Sequence, residues 1–517
     1  MTTLIDTLKS EQHRAAAEPP AAAGVEDAEA VNSREQRADY VARRKIYPST
    51  VHGFYRRLKW ALLAVFLAVY WIAPWLRWDR GPHAPDQAIL LDLAHRRFYF
   101  FGIEIWPQEF YYVAGMLIMA GLGLFLATSV VGRAWCGYAC PQTVWTDLFL
   151  AVENWIEGDR NARIKLDAQP WTADKLRKRL TVWILWALIA VATGGAWVFY
   201  FADAPTLARQ LVTFEAPAVA YFTIATLSAT TFWFAGFMRE QVCTYMCPWP
   251  RIQGAMLDEH SLVVTYNDWR GEPRSRHAKR ARAQGLDVGD CVDCNACVAA
   301  CPMGIDIRDG QQLECITCAL CIDACDNVMQ KLGIPMGLVS YSTLADYQHH
   351  AATAATAGRE VARAEQKRVS VSHIARPRTL LYAALWSLIG IGMLLGLATR
   401  GTLALSVLHD RAPLFVTLSD GGVRNGYTLK IASKAHEERT LTLRLEGLDD
   451  AVMWTPEDER RVRAMTVTVP PDAVRDLRVF VARPKEHAEP GEFRFEVSGA
   501  GETTSTAARF EAKGARP

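Results

Sequence analysis

The sequence predicts a multidomain membrane protein: a five-helix α-helical transmembrane bundle, a cytoplasmic bacterial-type 2[4Fe-4S] ferredoxin domain and a C-terminal all-β immunoglobulin-like sandwich. Three observations predict it. Five apolar stretches without Asp, Glu, Lys, Arg or His are each long enough to cross a bilayer. Eight of the twelve cysteines repeat a ferredoxin spacing between residues 290 and 326, and the region beyond the fifth stretch alternates apolar and polar side chains. Half of the 517 residues are hydrophobic, yet mean hydropathy is near zero (+0.02), so strongly apolar segments are averaged against strongly polar ones. The formal charge of +2 is too small to suggest a nucleic-acid partner.

In chain order, residues 1–57 form a cytoplasmic tail, rich in Ala, Glu and Arg and read as disordered to about residue 40. The first apolar run, WALLAVFLAVYWIAPWL, lies far from Met1 with no small-residue cleavage site after it, so no signal peptide is expected. Residues 58–257 hold four spans, the other three at about 111–131, 181–201 and 217–237. Residues 258–379 form the ferredoxin domain with a polar, Ala-rich helical spacer or docking helix at 351–368. A fifth span follows at 380–399, then the sandwich at 400–517.

Orientation follows from Lys and Arg, which favour cytoplasmic loops. Segments 1–59, 132–180 and 238–379 carry 10, 8 and 16 of them, against 4 and 1 in 76–110 and 202–216. The first group is therefore expected in the cytoplasm of a bacterial inner-membrane protein, with the C-terminal domain in the periplasm. A reducing cytoplasm suits free thiolates.

The ferredoxin run reads Cys291-x2-Cys294-x2-Cys297-x3-Cys301-Pro302, then Cys315-x2-Cys318-x2-Cys321-x3-Cys325-Asp326. A four-iron cube needs thiolates converging from several directions: three come from a tight loop, and the fourth comes from the other run. This assigns Cys291, Cys294, Cys297 and Cys325 to one 4Fe-4S cluster and Cys315, Cys318, Cys321 and Cys301 to a second. Zinc knuckles use paired C-x2-C, and disulfide frameworks belong to oxidising compartments; neither fits this repeat. Asp326 stands where the usual pattern has proline, which removes no ligand.

The other four cysteines make an internal repeat. Cys136-Gly-Tyr138-Ala-Cys140-Pro141 follows the second span, and Cys243-Thr-Tyr245-Met246-Cys247-Pro248 follows the fourth. Each C-x-Y-x-C-P leads into an amphipathic segment. On a helix this spacing puts both sulfurs on one face, and the proline suits the first turn of the next helix. A plain buried cysteine is the bland reading, and its weight falls when the same motif occurs twice. Such dithiols can chelate a soft metal, with copper transit one candidate and Met246 a possible thioether, interconvert with a disulfide, or hold a third cluster. All twelve histidines lie outside the five spans, so haem between the spans is not expected. In the tail, about seven short strands separated by Gly, Pro and Asp turns indicate the sandwich, which contains no cysteine.

Together these features resemble the CcoG family, also called FixG or RdxA, over nearly the whole chain. The paired membrane motifs are shared with NapH and NosR relatives, and the sandwich favours CcoG. The resemblance implies an oxidoreductase that helps assemble the cbb-type cytochrome c oxidase by reducing Cu(II) to Cu(I). It also implies cluster ligation by the eight ferredoxin cysteines and a copper or redox role for Cys136, Cys140, Cys243 and Cys247. Expected partners are membrane lipid, copper ions, a cytoplasmic electron donor and copper-delivery or oxidase-assembly proteins. The oligomeric state, a homodimer included, stays open, as do a quinol-linked carrier and a redox-sensing scaffold.

The topology has a direct test. A reporter active only outside the cytoplasm will work when fused after Pro413 and fail when fused after Gly333; the reverse pattern would place the clusters outside.

Overall fold

The computed structural model describes residues 26–32, 44–82, 84–366, 375–435 and 437–512. Most of the N-terminal tail, residues 367 and 368 of the spacer and the last residues of the sandwich lie outside them. The chain divides into two compact units.

The first unit contains the spans and the ferredoxin domain. Five helices among the described residues have the length and hydropathy to cross a membrane: Phe54–Trp75, Pro107–Val131, Ala173–Val198, Ala218–Met238 and Pro377–Ala398. Their outer faces carry exposed apolar side chains such as Leu117, Phe222 and Leu388, as lipid contact requires. The first and third helices begin earlier than their apolar runs. They take in RRLK and KLRKR, whose long stems can lie along apolar surface while their charges reach the interface. The third and fourth spans pack closely because Gly194 has no side chain; a Cβ there would come within 2.8 Å of Ile224 O. The fifth span joins the second through Ser129–Thr379 (2.7 Å) and Trp386 Nε1 to Met119 O (3.1 Å). Between the first two spans run three short strands, β1 (Ile89–Asp92), β2 (Arg97–Phe100) and β3 (Ile103–Ile105).

The ferredoxin domain is clasped by strands β4 (Val263–Tyr266) and β5 (Val339–Ser342), which pair antiparallel. The spacer is a docking element rather than a solvated one. Its helix Leu344–Ala357 is tied back by Tyr347 to Asp268 (2.8 Å), and helix Arg359–Glu365 by Arg359 to Asp287 (2.9 Å). Residues 26–32 also depart from the expected disorder. Glu26 N–H donates to Cys294 O (3.0 Å) and Asn32 N–H to Gly304 O (2.9 Å), so this piece straps the first cysteine run from its loop to just past Cys301.

A cap from far along the chain seats the first span on this domain. The helix Phe54–Ile72 starts at Gly53, which offers no side chain to its free N–H groups. Asp323, from the helix Leu320–Leu332 that ends the ferredoxin run, accepts from the N–H of Arg56 (2.7 Å) and Tyr55 (3.3 Å). Gly53 is required by that approach, since a Cβ would lie 2.2 Å from Asp323 Cγ.

The second unit includes the sandwich. Nine strands build it where about seven were expected: β6 (Leu403–His409), β7 (Val416–Thr417), β8 (Val423–Ser433), β9 (Arg439–Glu446), β10 (Val452–Trp454), β11 (Ala464–Val469), β12 (Ala473–Arg483), β13 (Gly491–Gly499) and β14 (Glu502–Phe510). One sheet runs β10-β12-β8-β6 with β7 also on β8, and the other runs β11-β9-β13-β14. Alternate residues Leu441, Leu443 and Leu445 meet Tyr427, Leu429 and Ile431 in the core. Without a disulfide, the sheets are tied by Tyr427 OH to Arg509 O (2.7 Å) and by Asn425, which donates to Glu511 O and accepts from Glu511 N–H (2.8 Å each).

Asp323→Ala leaves the first-span N–H groups without their acceptor. It is expected to cost about 1–2 kcal/mol, read as a lower thermal unfolding midpoint of the detergent-solubilised protein, with β-sandwich melting unchanged.

Candidate functional site

The eight ferredoxin cysteines line two adjoining voids. One is bordered by Cys291, Cys294, Cys297 and Cys325, the other by Cys301, Cys315, Cys318 and Cys321, with Cys297 touching both. Each void is thus bordered by three cysteines of one run and the last cysteine of the other, with Cys297 also at the edge of the second.

Local backbone explains how. The residues before and after the middle cysteine of each loop are left-handed: Asp293 (φ 50°) and Asn295 (57°) around Cys294, Thr317 (57°) and Ala319 (61°) around Cys318. Asp and Asn visit this region readily, whereas Thr and Ala rarely do. The repeated twist turns backbone N–H groups inward, as in an anion-binding nest. Ala296 N–H approaches Cys294 sulfur, Thr317 N–H lies 3.4 Å from Cys315 Sγ, and Met303 and Ile305 N–H serve Cys301. Most of the remaining wall is apolar, with Val264, Ile305, Ile307 and Ile316 around the second void and Val328, Met329, Leu338 and Val339 around the first, where Tyr266, Asn295 and Arg308 add polar edges.

Burial pushes the Cys301 and Cys325 thiols up to about 12 and drives Cys297 and Cys321 well above their ordinary value. Without a cation these sites would hold neutral thiols. Iron replaces the protons and makes thiolates stable in so apolar a setting. Among the described residues no three His, Cys, Asp or Glu side chains are tight enough for a single ion. Sulfurs spread around a void suit the corners of a four-iron cube instead, so the donor set fits that cofactor. Arg308 borders the first void and is fixed by Asp293 (2.7 Å), Asn295 (2.8 Å) and Asp306.

Two of the membrane cysteines, Cys136 and Cys243, pack with residues that line the second void. Both motifs form π-helical turns, Trp135–Ala139 and Val242–Met246, rather than the α-helical face predicted, and Cys140 and Cys247 are extended. Inserted π turns widen a helix and frequently occur at functional sites. Pro141 opens the next helix as anticipated, Pro141–Glu157, whereas Pro248 only caps Trp249–Met256. Electrostatic coupling links Cys136 to Cys140 and Cys247, and Cys243 to all three others, so the two motifs face each other. Burial raises Cys136 to about 11 and Cys243 to about 12.

Contact with the ferredoxin loop is through backbone. A Cβ on Gly137 would come within 2.7 Å of Ile316 O and 3.0 Å of Cys318 Cα, so only glycine fits. Tyr138 OH donates to Cys318 O (3.2 Å), and Cys136 packs with Met303, Ile316 and Cys318. The repeat is not symmetrical: Tyr138 is buried, while Tyr245 and Met246 are exposed. Met246 therefore points to solvent or lipid; the thioether beside the dithiols is Met303, which lines the second void and a pocket next to Cys243.

Three further residues carried no motif. Arg133 is buried, donates to Leu313 O (2.8 Å) and places its charge near Cys136. Gln253, from the second repeat, accepts from the Cys136 thiol (3.0 Å) and donates to Thr128 Oγ1 (3.2 Å). Gln142, from the first repeat, donates to Phe234 O and Arg239 O beside the fourth span. The exchanged glutamines lock the two motifs together. Only their place a few residues after each C-P could have flagged them.

Three family models match. Residues 238–344 match a 4Fe-4S dicluster domain, 113–160 a 4Fe-4S binding domain, and 393–513 the immunoglobulin-like fold at the C-terminus of FixG. The chain is 61% identical to the nitrogen fixation protein FixG of Rhizobium meliloti over 478 residues, 89% of this chain and 90% of that protein. The chain belongs to the FixG/RdxA family. Among its other FixG-type relatives, RdxB of Cereibacter sphaeroides is 53% identical, covering 86% of this chain and 94% of that protein. RdxA of the same organism is 56% identical, covering 79% and 83%. The protein is thus a membrane iron-sulfur electron-transfer protein of the FixG type.

Protein purified without oxygen is expected to contain about eight iron and eight sulfide per chain. Cys301→Ala and Cys325→Ala will each remove the signal of one cluster and spare the other, seen by iron analysis and EPR. Unchanged spectra in both would refute the crossed pairing of the runs.

Proposed function

We propose that this FixG-type protein reduces Cu(II) to Cu(I) at the four membrane cysteines, for assembly of a cbb-type cytochrome c oxidase, using electrons from a cytoplasmic donor. The observation that carries the reading is the seat of Gly137 and Cys136 on the Cys318 loop, which brings the dithiols to the edge of the ferredoxin domain. The proposed ligands are Cys291, Cys294, Cys297 and Cys325 for one cluster and Cys315, Cys318, Cys321 and Cys301 for the other. When bound, the clusters supply one-electron carriers in dry surroundings.

The chain does the rest through its own groups. Thiolates from Cys136, Cys140, Cys243 and Cys247 offer soft ligands that prefer Cu(I). Two of them suffice for a low-coordinate cuprous ion, so the absence of a three-ligand cage among the described residues is compatible with copper as substrate. Each ion takes up one electron and changes from Cu(II) to Cu(I), while the cysteines remain thiolates. Arg133 offsets part of their negative charge. Lys and Arg placement supports putting this face in the cytoplasm and the sandwich in the periplasm, where it would serve as a docking module.

A second reading has its own support. The 4Fe-4S binding model at residues 113–160 contains Cys136 and Cys140 as its only cysteines. In that case the four membrane cysteines would hold a further cluster.

Replacing Cys136, Cys140, Cys243 and Cys247 by serine separates the two. Serine keeps the size but is a hard, poorly ionised donor. Copper reduction predicts about eight iron per chain before and after substitution, with Cu(I) binding and Cu(II) reduction lost. A further cluster predicts about twelve iron falling to eight. Full copper binding and reduction by the quadruple variant would sink the copper assignment.

A further inference from the structure

A second concentration of buried charge lies away from the cysteines. Glu153, 1% exposed, is held between Arg163 (3.0 Å) and Arg239 (2.6 Å); Glu157 takes Arg179 (2.9 Å); Asp167 takes Lys45 (2.8 Å) and Arg179. Among the described residues Lys175 has no carboxylate partner; it donates to the carbonyls of Asp167 (3.0 Å) and Gln169 (2.6 Å). Five cations (Lys45, Arg163, Lys175, Arg179, Arg239) thus meet Glu153, Glu157 and Asp167, with the Asp159 carboxylate also acting on Arg163, so positive charge stays in excess. Buried Arg239 Nη1 and Arg163 Nε have no hydrogen-bond partner among the described residues. Uncompensated charge and unmade hydrogen bonds are costly in such a place.

The charges border a cavity of about 450 Å³, where Lys45, Lys175, Arg179 and Arg239 outnumber the carboxylates Glu153 and Asp167 beside the indoles of Trp171 and Trp183, within the size range of ligand sites. Its position fits a headgroup. Lys175 and Arg179 occupy the first two turns of the third span, below its apolar stretch, and Trp171 (68% exposed) and Trp183 (37% exposed) stand where indoles mark the membrane interface. Burial, reinforced by Arg179 and Arg239 against the pull of Glu153 and Glu157, holds the Lys45 ammonium down at about 8; a bound anion would relieve it.

We propose that this cavity binds a phosphate-bearing anion, the headgroup of an acidic membrane phospholipid, through Lys45, Lys175 and Arg179, with Trp171 and Trp183 beside its acyl chains. Basic pockets at the ends of membrane helices recognise acidic headgroups by this chemistry. Copper and iron chemistry have no part in it, so the proposal stands apart from the functional reading above.

The test titrates the full-length, cluster-loaded protein, stripped of lipid in detergent, with short-chain phosphatidylglycerol, short-chain phosphatidylcholine and inorganic phosphate. The wild type is expected to bind phosphatidylglycerol, and Lys45→Gln/Lys175→Gln, which loses two charge-assisted contacts, to bind it at least about tenfold more weakly. Lys175→Arg, which keeps the charge, will retain binding, and cluster absorbance will confirm that each variant is folded. Equal binding of phosphatidylcholine, or unchanged binding by the double variant, would overturn the site. Inorganic phosphate binding as tightly as phosphatidylglycerol would overturn the lipid and identify a free anion as the ligand.

Discussion

Eight thiols enclosed by apolar walls are tolerable only if a cation takes the place of their protons, and the architecture follows from that constraint. Walls of Val, Ile, Leu and Met keep water from the voids, and left-handed residues on either side of Cys294 and Cys318 turn N–H groups toward sulfur. The strand pair β4 and β5 and the strap at 26–32 close what the loops leave open. Backbone strain at Thr317 and Ala319 is of the kind that persists only where surroundings over-determine it.

The membrane helices are less a container than a plinth. Asp323 caps the first span, Tyr138 and Gly137 sit on the Cys318 loop, and Arg133 reaches Leu313. These contacts use backbone atoms or side chains locked by two partners, so the distance between the Cys318 loop and the dithiols is set by rigid parts. An electron-transfer protein depends on such fixed separations, which suits the FixG/RdxA assignment.

Much of this was legible in the chain because the signals are periodic or covalent. Cysteine spacing pointed to the two crossed groups of cysteines that border the voids, uncharged runs located the five apolar helices, and alternation located most strands. What was missed depends on contacts between distant segments. A three-residue strand such as β10 is too short to show a period. The π turns arise where a helix end is pressed onto a foreign loop, so C-x3-C alone suggested an ordinary helix. Met303 replaces Met246 as the nearby thioether for the same reason: proximity came from domain docking, not from sequence adjacency. The ion cluster around Glu153 draws on four separate stretches, each reading by itself as solvated charge.

The crossed sharing of cysteines bears on how the protein is made. Cys325 belongs with the loop that begins at Cys291, and Cys301 with the loop that ends at Cys321. A nascent chain released only as far as Cys301 offers three corners of one site and a stray corner of the next. One site is complete only once Cys321 has been made and the other only once Cys325 has, by which time four spans have already been synthesised. Maturation factors must therefore work on a membrane-embedded client, and the strap at 26–32, made first of all, can fold down last.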